Sequence, residues 1–143
     1  MPVIRLALAI LTLGLLALTQ AACSGTQVGT KSAEDYNARP LRVVIPSGVD
    51  NAKAIKAAET ALINRDWVVT NQTDDEISGK LSHRRFDAVV NIRIEGRSLV
   101  LYSDSTYTNP QTNEVTPGVP YGWLEYLKKD IKKFIAYEED RSK

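Results

Sequence analysis

The chain holds few groups able to do acid–base or covalent chemistry. Among its 143 residues there is one histidine, one cysteine and one methionine. The histidine, His83, opens the run His83-Arg84-Arg85, with Lys80 just before it. Cations grouped in this way suit an anion: a phosphate, a lipid head group or a glycan carboxylate. The plainer reading is a charged hairpin tip that keeps a strand end soluble. Tyr102, Tyr107, Tyr121, Trp123 and Tyr126 crowd the C-terminal third. Such rings stack on sugars or anchor a protein interface, or they form the packed core and rim of a helix. Asp87 and Asp104 would face each other across two strands, where paired carboxylates hold a cation or share a proton unless Arg85 or Arg93 neutralises them. Ser103, Asp104 and Ser105 do not make a hydrolase with His83, because no Gly-x-Ser-x-Gly elbow and no second histidine accompany them.

Counts narrow the classes further. One cysteine forbids an intramolecular disulfide and a multi-cysteine zinc site, and one histidine forbids a histidine-cluster metal site. Lys+Arg is 18 against Asp+Glu 17, a net charge of +1, which gives no electrostatic case for nucleic acid. No metal and no cofactor is expected. The inventory reads as a binding or interaction module, not an enzyme.

Cys23 has the one expected covalent role. Arg5 precedes an uncharged apolar run, Leu6 to Leu18, followed by Gln20-Ala21-Ala22 and the cysteine. At about 13 residues the run is shorter than the roughly 20 a membrane-spanning helix needs, so residues 1–22 read as a signal peptide. Ala21-Ala22-Cys23 resembles the lipobox of bacterial lipoproteins, in which two small residues precede the modified cysteine. Gln20 stands where that motif usually has an aliphatic residue. The resemblance implies a diacylglycerol thioether on Cys23, cleavage before it and N-acylation. Ser24, not being aspartate, implies export to the inner leaflet of the outer membrane, facing the periplasm. Ordinary cleavage would instead leave a free thiol in an oxidising compartment, a liability. Only Arg5 is charged in the removed peptide, so the mature chain is formally neutral.

The elements that position these residues follow from periodicity. Residues 23–40 are polar and poor in aliphatics, and read as a lipid-anchored flexible tether. A globular domain is expected over 41–137 and a fraying charged tail over 138–143. Leu41 to Ile45 reads as a strand stopped by Pro46-Ser47-Gly48. Asp50 caps a helix to about Asn64, with Ile55, Ala58 and Leu62 on one face. Strands follow at 67–72, 76–83, 86–94 and 98–104. A turn at Arg84-Arg85 pairs His83 with Phe86 and Ile77 with Ile92. A turn at Glu95-Gly96 pairs Ile92 with Leu99. Ser105 to Gly118 reads as a long polar loop. Pro120 opens a second helix, with Leu124, Leu127, Ile131, Phe134 and Ile135 on one face and Lys128, Lys129, Lys132 and Lys133 mostly opposite. The class is α+β: a four- to five-stranded antiparallel sheet with two helices packed on one face, in the order β-α-β-β-β-β-α.

Five stretches carry a family resemblance: Ala54-Ile55-Lys56-Ala57-Ala58, Arg65-Asp66-Trp67-Val68-Val69, Ala88-Val89-Val90-Asn91-Ile92, Leu101-Tyr102-Ser103-Asp104-Ser105 and Tyr121-Gly122-Trp123-Leu124-Glu125-Tyr126-Leu127. Over residues 52–134 the chain resembles a group of small bacterial envelope lipoproteins with no assigned activity. That group commonly has glycine before the first tryptophan and asparagine before the second, where this chain has Asp66 and Gly122. The resemblance implies fold and location and brings no site residues. The expected function is a lipid-anchored envelope protein that binds another envelope component through the outer sheet face or the 105–118 loop. The alternative is a binder of glycan or acidic lipid through the 83–85 turn and the C-terminal aromatics.

Overall fold

The computed structural model describes residues 30–143. The signal peptide expected over 1–22, Cys23 and the first part of the tether lie outside the described residues. In chain order the elements are β1 (Thr30–Lys31), α1 (Ala33–Ala38), β2 (Leu41–Val44), α2 (Asn51–Asn64), β3 (Val68–Gln72), β4 (Glu76–His83), β5 (Phe86–Glu95), β6 (Ser98–Ser103), β7 (Thr106–Thr108), β8 (Val115–Pro117), β9 (Val119–Pro120) and α3 (Tyr121–Asp140). The main sheet is antiparallel in the order β2-β6-β5-β4-β3. Helices α2 and α3 cover one face, so the fold is α+β. Among the described residues no helix is long and apolar enough to cross a membrane.

The core lies between that face and the two helices. Ile77, Val90, Ile92, Leu99 and Leu101 point up from the sheet. Leu124, Leu127, Ile131 and Ile135 point down from α3, which buries one stripe at helical spacing. Helix α2 contributes four buried alanines with Ile55 and Leu62, a face slim enough to lie close to the strands. It starts where expected, the Asp50 carboxylate accepting from the Lys53 amide at 2.8 Å. It ends in a left-handed residue, Asp66, at φ 61°. The Asp66 amide bonds the Ile63 carbonyl and the Trp67 amide bonds the Leu62 carbonyl, the pairing of a Schellman cap. Glycine takes that conformation without a Cβ penalty. Asp66→Gly is therefore expected to raise stability by about 1 kcal/mol, read as a higher thermal midpoint; an unchanged or lower midpoint would refute it.

The β4–β5 hairpin has the expected register, with His83 opposite Phe86 and Ile77 opposite Ile92. The β5–β6 hairpin does not. Ile92 pairs with Leu101, not Leu99, and Glu95 pairs with Ser98, so the turn is Gly96-Arg97. Gly96 alone takes positive φ there, at 61°, which the first central residue of a II′ turn requires and which Glu95 would resist. A shift of two residues keeps every side chain on its expected face. It also separates the two aspartates: Asp87 lies opposite Thr106 and Ser82 and accepts from the Ser82 hydroxyl at 2.6 Å.

Three further expectations are corrected. The loop at 105–118 is a hairpin, β7 pairing with β5 and β8, its tip closed by the Asn109 side chain accepting from the Gln111 amide. The tail does not fray at 138, because α3 runs to Asp140 and the Ser142 hydroxyl accepts from Lys53 of α2. Residues 30–40, expected to belong to a flexible tether, are folded onto the domain. Ser32 caps α1, and β1 pairs with β9. Tyr36 is buried, its hydroxyl donating to the Leu101 carbonyl at 2.6 Å. Asn37 does what a strand neighbour would do: its amide donates to the Ser103 carbonyl at 2.7 Å and accepts from the Ser103 amide at 3.0 Å. Beside the β1–β9 pair, one buried ring and one side-chain amide tie down a segment whose composition is otherwise polar.

Candidate functional site

The Arg84-Arg85 turn holds two side chains in an unusual backbone. Both residues have positive φ, 45° and 72°, the pattern of a I′ turn that ordinarily takes asparagine and glycine. Non-glycine residues held there carry local strain. Both arginines are exposed and neither takes part in the ion pairs of the described residues. The turn projects them from the end of the sheet, and the pair just inside it, His83 and Phe86, turns inward toward α3.

There the first turn of α3 brings Trp123 down between them. Its ring centroid is 5.9 Å from that of His83 and 5.4 Å from that of Phe86. Phe86 packs in turn on Tyr107 of β7, at 5.0 Å. Two hollows flank this cluster and share Trp123 as a wall. The larger, about 360 Å³, is bounded by Arg65, Trp67, Leu81, His83 and Tyr126. The smaller, about 230 Å³, is bounded by Thr30, Arg84, Phe86, Tyr107 and Gly122. Arg65 is fixed by the Asp130 carboxylate, whose hydrogen bond holds the guanidinium protonated more firmly than usual. It lies 5.1 Å from the centre of the Tyr126 ring, a cation–π distance.

Five residues singled out in the sequence thus come together: His83, Arg84, Tyr107, Trp123 and Tyr126. Arg85 stays at the tip, outside both hollows, its carbonyl accepting from the Thr108 amide. Two of the aromatics are elsewhere. Tyr121 meets Tyr36 edge-on at 6.2 Å, with the Lys31 ammonium 3.9 Å from its ring. Its hydroxyl donates to Glu125, which pushes its pKa up. Tyr102 is on the outer sheet face, its hydroxyl donating to Glu95 at 2.7 Å with the same effect. Phe86, Arg65, Gly122 and Thr30 complete the walls without being binding candidates by residue type. Phe86 was legible as the inward partner of His83; Thr30 had no signal, since nothing local places residue 30 beside residue 107.

The outer sheet face is occupied by its own side chains. Arg42 pairs with Glu95 and Arg93 with Glu76, Arg93 also lies over the Tyr102 ring, and Ser78 bonds Asn91. Val100, between Arg42 and Arg93 in the register, is fully buried beneath them. The serine pair is equally committed. Ser103 and Ser105 are buried, bond each other at 2.7 Å, and serve the backbone of Val89. These hydroxyls complete the ladder where β6 passes into β7.

The described residues therefore form an α+β domain with an aromatic, cation-rimmed end. Rings and guanidinium groups of this kind bind planar or ring-shaped ligands and anions. No protein-family model, no curated protein and no solved structure matches the chain.

Proposed function

We propose that this chain is a lipid-anchored protein of the bacterial envelope, akin to the small lipoproteins it resembles, and that its domain is a non-catalytic binding module. Lipid on Cys23 holds it at the membrane, and the Trp123 end is its binding face. One observation carries the choice of face: His83, Arg84, Tyr107, Trp123 and Tyr126 converge on two hollows that share the Trp123 ring. The outer sheet face is the weaker candidate, because its charges are already paired with one another.

The anchor is tested by radiolabelled palmitate and cell fractionation. Cys23→Ala is expected to abolish labelling and release the protein from the membrane fraction; label retained by that variant would overturn the assignment. The face is tested in the same cells with a photocrosslinker at Tyr126 or at Val44 of the outer face. Adducts from position 126 and none from 44 support the reading, and the reverse overturns it.

A further inference from the structure

We infer that the Trp123 end docks on the bilayer to which the protein is anchored, with Arg84 and Arg85 in its anionic head-group layer. The inference rests on lipidation of Cys23 as proposed above, and it names the partner of the same face.

The first argument is the length of chain left to act as a tether. If residues 23–40 were all extended, Cys23 would sit up to about 60 Å from Leu41, and any face of the domain would be free to meet the membrane. Residues 30–40 are instead folded onto the domain, through β1, Tyr36 and Asn37. Seven peptide steps then join Cys23 to Thr30, a reach of at most about 25 Å. A domain of this size has a radius of gyration of about 13 Å, so the anchor is no longer than the body it holds. What decides the orientation is where Thr30 lies, and it lies on the wall of the smaller hollow with Arg84, Phe86, Tyr107 and Trp123. Its methyl carbon approaches Gly118, which in turn lies against Tyr107. The anchored strand thus leaves the domain from the aromatic, basic end.

The second argument is chemical. No carboxylate stands on the wall of that hollow. Arg84 and Arg85 are exposed and unpaired among the described residues, and Lys31 lies next to Thr30. Asp87, the nearest acidic residue along β5, keeps its charge while accepting from the Ser82 hydroxyl, and the two arginines of the turn outnumber it. Basic side chains at an anionic surface each favour the bound state about fivefold, and half-buried tryptophan and tyrosine suit the interfacial zone of a bilayer. The third argument is the backbone. Two arginines occupy positive-φ positions that asparagine and glycine would fill with less strain, which marks the tip as built for charge and not for the turn.

That strain supplies the test. Arg84→Asn with Arg85→Gly suits the turn better, so the double variant is expected to fold with a higher thermal midpoint while losing the interaction. Full-length protein is purified from membranes, checked by mass for the diacylglycerol on Cys23, and reconstituted into vesicles of phosphatidylcholine alone or with phosphatidylglycerol. Tryptophan quenching by a head-group spin-labelled lipid is read. Trp67 is 4% exposed but bounds the larger hollow beside Trp123, so the signal read is the part of the quenching that Trp123→Phe removes. Strong quenching with phosphatidylglycerol, weak quenching without it, and an approximately 25-fold lower docked-to-undocked ratio in the double variant support the inference. Equal quenching in both vesicles, or in the double variant, overturns it. So does quenching relieved by a soluble acidic oligosaccharide and indifferent to phosphatidylglycerol, which would assign the face to a glycan. A protein lacking the diacylglycerol overturns the anchor and this inference together; a lipidated protein that fails to dock overturns the inference alone.

Discussion

Replacing Tyr36 by alanine is expected to remove about 3–5 kcal/mol of stability, the usual cost of emptying a buried aromatic site. The ring is 1% exposed and is the one large side chain that α1 gives to the core. It meets Tyr121 edge-on, and its hydroxyl donates to the Leu101 carbonyl. A domain with a total stability of about 5–15 kcal/mol feels such a loss as a large shift of the urea midpoint. The loss is also local. With Tyr36 gone, α1 is held chiefly by Asn37 on Ser103, so a glutamate-specific endoprotease is expected to cut at Glu34 of α1 well before the rest unfolds. Tyr36→Phe keeps the packing and removes one hydrogen bond, for about 1 kcal/mol. An alanine variant with a wild-type midpoint and a protected Glu34 would show that the segment is not part of the fold.

Tyr36 gives the same prediction a pH signature. Burial, the largest cause, pushes its pKa well above the ordinary 10.0. The folded state then keeps the proton to higher pH than the unfolded state does. As pH rises past 10 the unfolded chain releases its proton first, so it binds fewer protons than the native one and stability falls. Below that pH both states hold the proton, so the linked stability is fully present and flat with pH. Wild type is expected to lose stability above pH 10 more steeply than Tyr36→Phe. Parallel curves would place the ring in solvent.

The contrast between this segment and the hairpins shows what a sequence reveals locally. Helix α2 and the β4–β5 register are written in alternation and capping: Asp50 at the helix start, His83 opposite Phe86, Ile77 opposite Ile92. Those signals are short-range and mutually consistent. The β5–β6 register depended on one residue's φ, and Glu95-Gly96 and Gly96-Arg97 preserve the same faces, so side-chain pattern alone did not separate them. The β7–β8 hairpin pairs only three residues from each strand and has no apolar face of its own. The folding of 30–40 depended on Asn37 substituting for a strand at Ser103, a contact 66 residues away in sequence. The site follows the same division. His83, Arg84 and Trp123 were legible by type, and their meeting with Tyr107 and Tyr126 needed the register. That Thr30 stands at their side needed the tertiary fold.

Gly79→Val is expected to cost about 3 kcal/mol, the upper range for overpacking a filled core. Gly79 is buried in the middle of β4, between Val69 and Val90 on the neighbouring strands. A Cβ built on it would lie 2.9 Å from the Leu62 Cδ2 of α2, and Leu62 is itself fully buried with nowhere to turn. The missing side chain is what lets the alanine face of α2 approach the sheet. In a strand, glycine gives up about 0.5–1 kcal/mol relative to alanine, so Gly79→Ala trades that gain against a smaller clash and should cost less than the valine. The clash has a single partner, which makes it separable. Leu62→Ala alone is expected to cost about 2–5 kcal/mol through its cavity. Combined with Gly79→Val the two losses should fall short of additive by about 1–2 kcal/mol, as the valine fills what the leucine vacated. Strict additivity in a denaturant double-mutant cycle would show that the helix, not Leu62, takes up the strain. That outcome bears on the site, because the end of α2 carries Arg65, Asp66 and Trp67, one side of the larger hollow. Displacing that end draws Arg65 away from Asp130 and opens the cleft beside Trp123. The single valine variant is therefore expected to change the fluorescence of Trp123 as well as stability, and the double variant to return the fluorescence toward wild type while staying no more stable than the single variant.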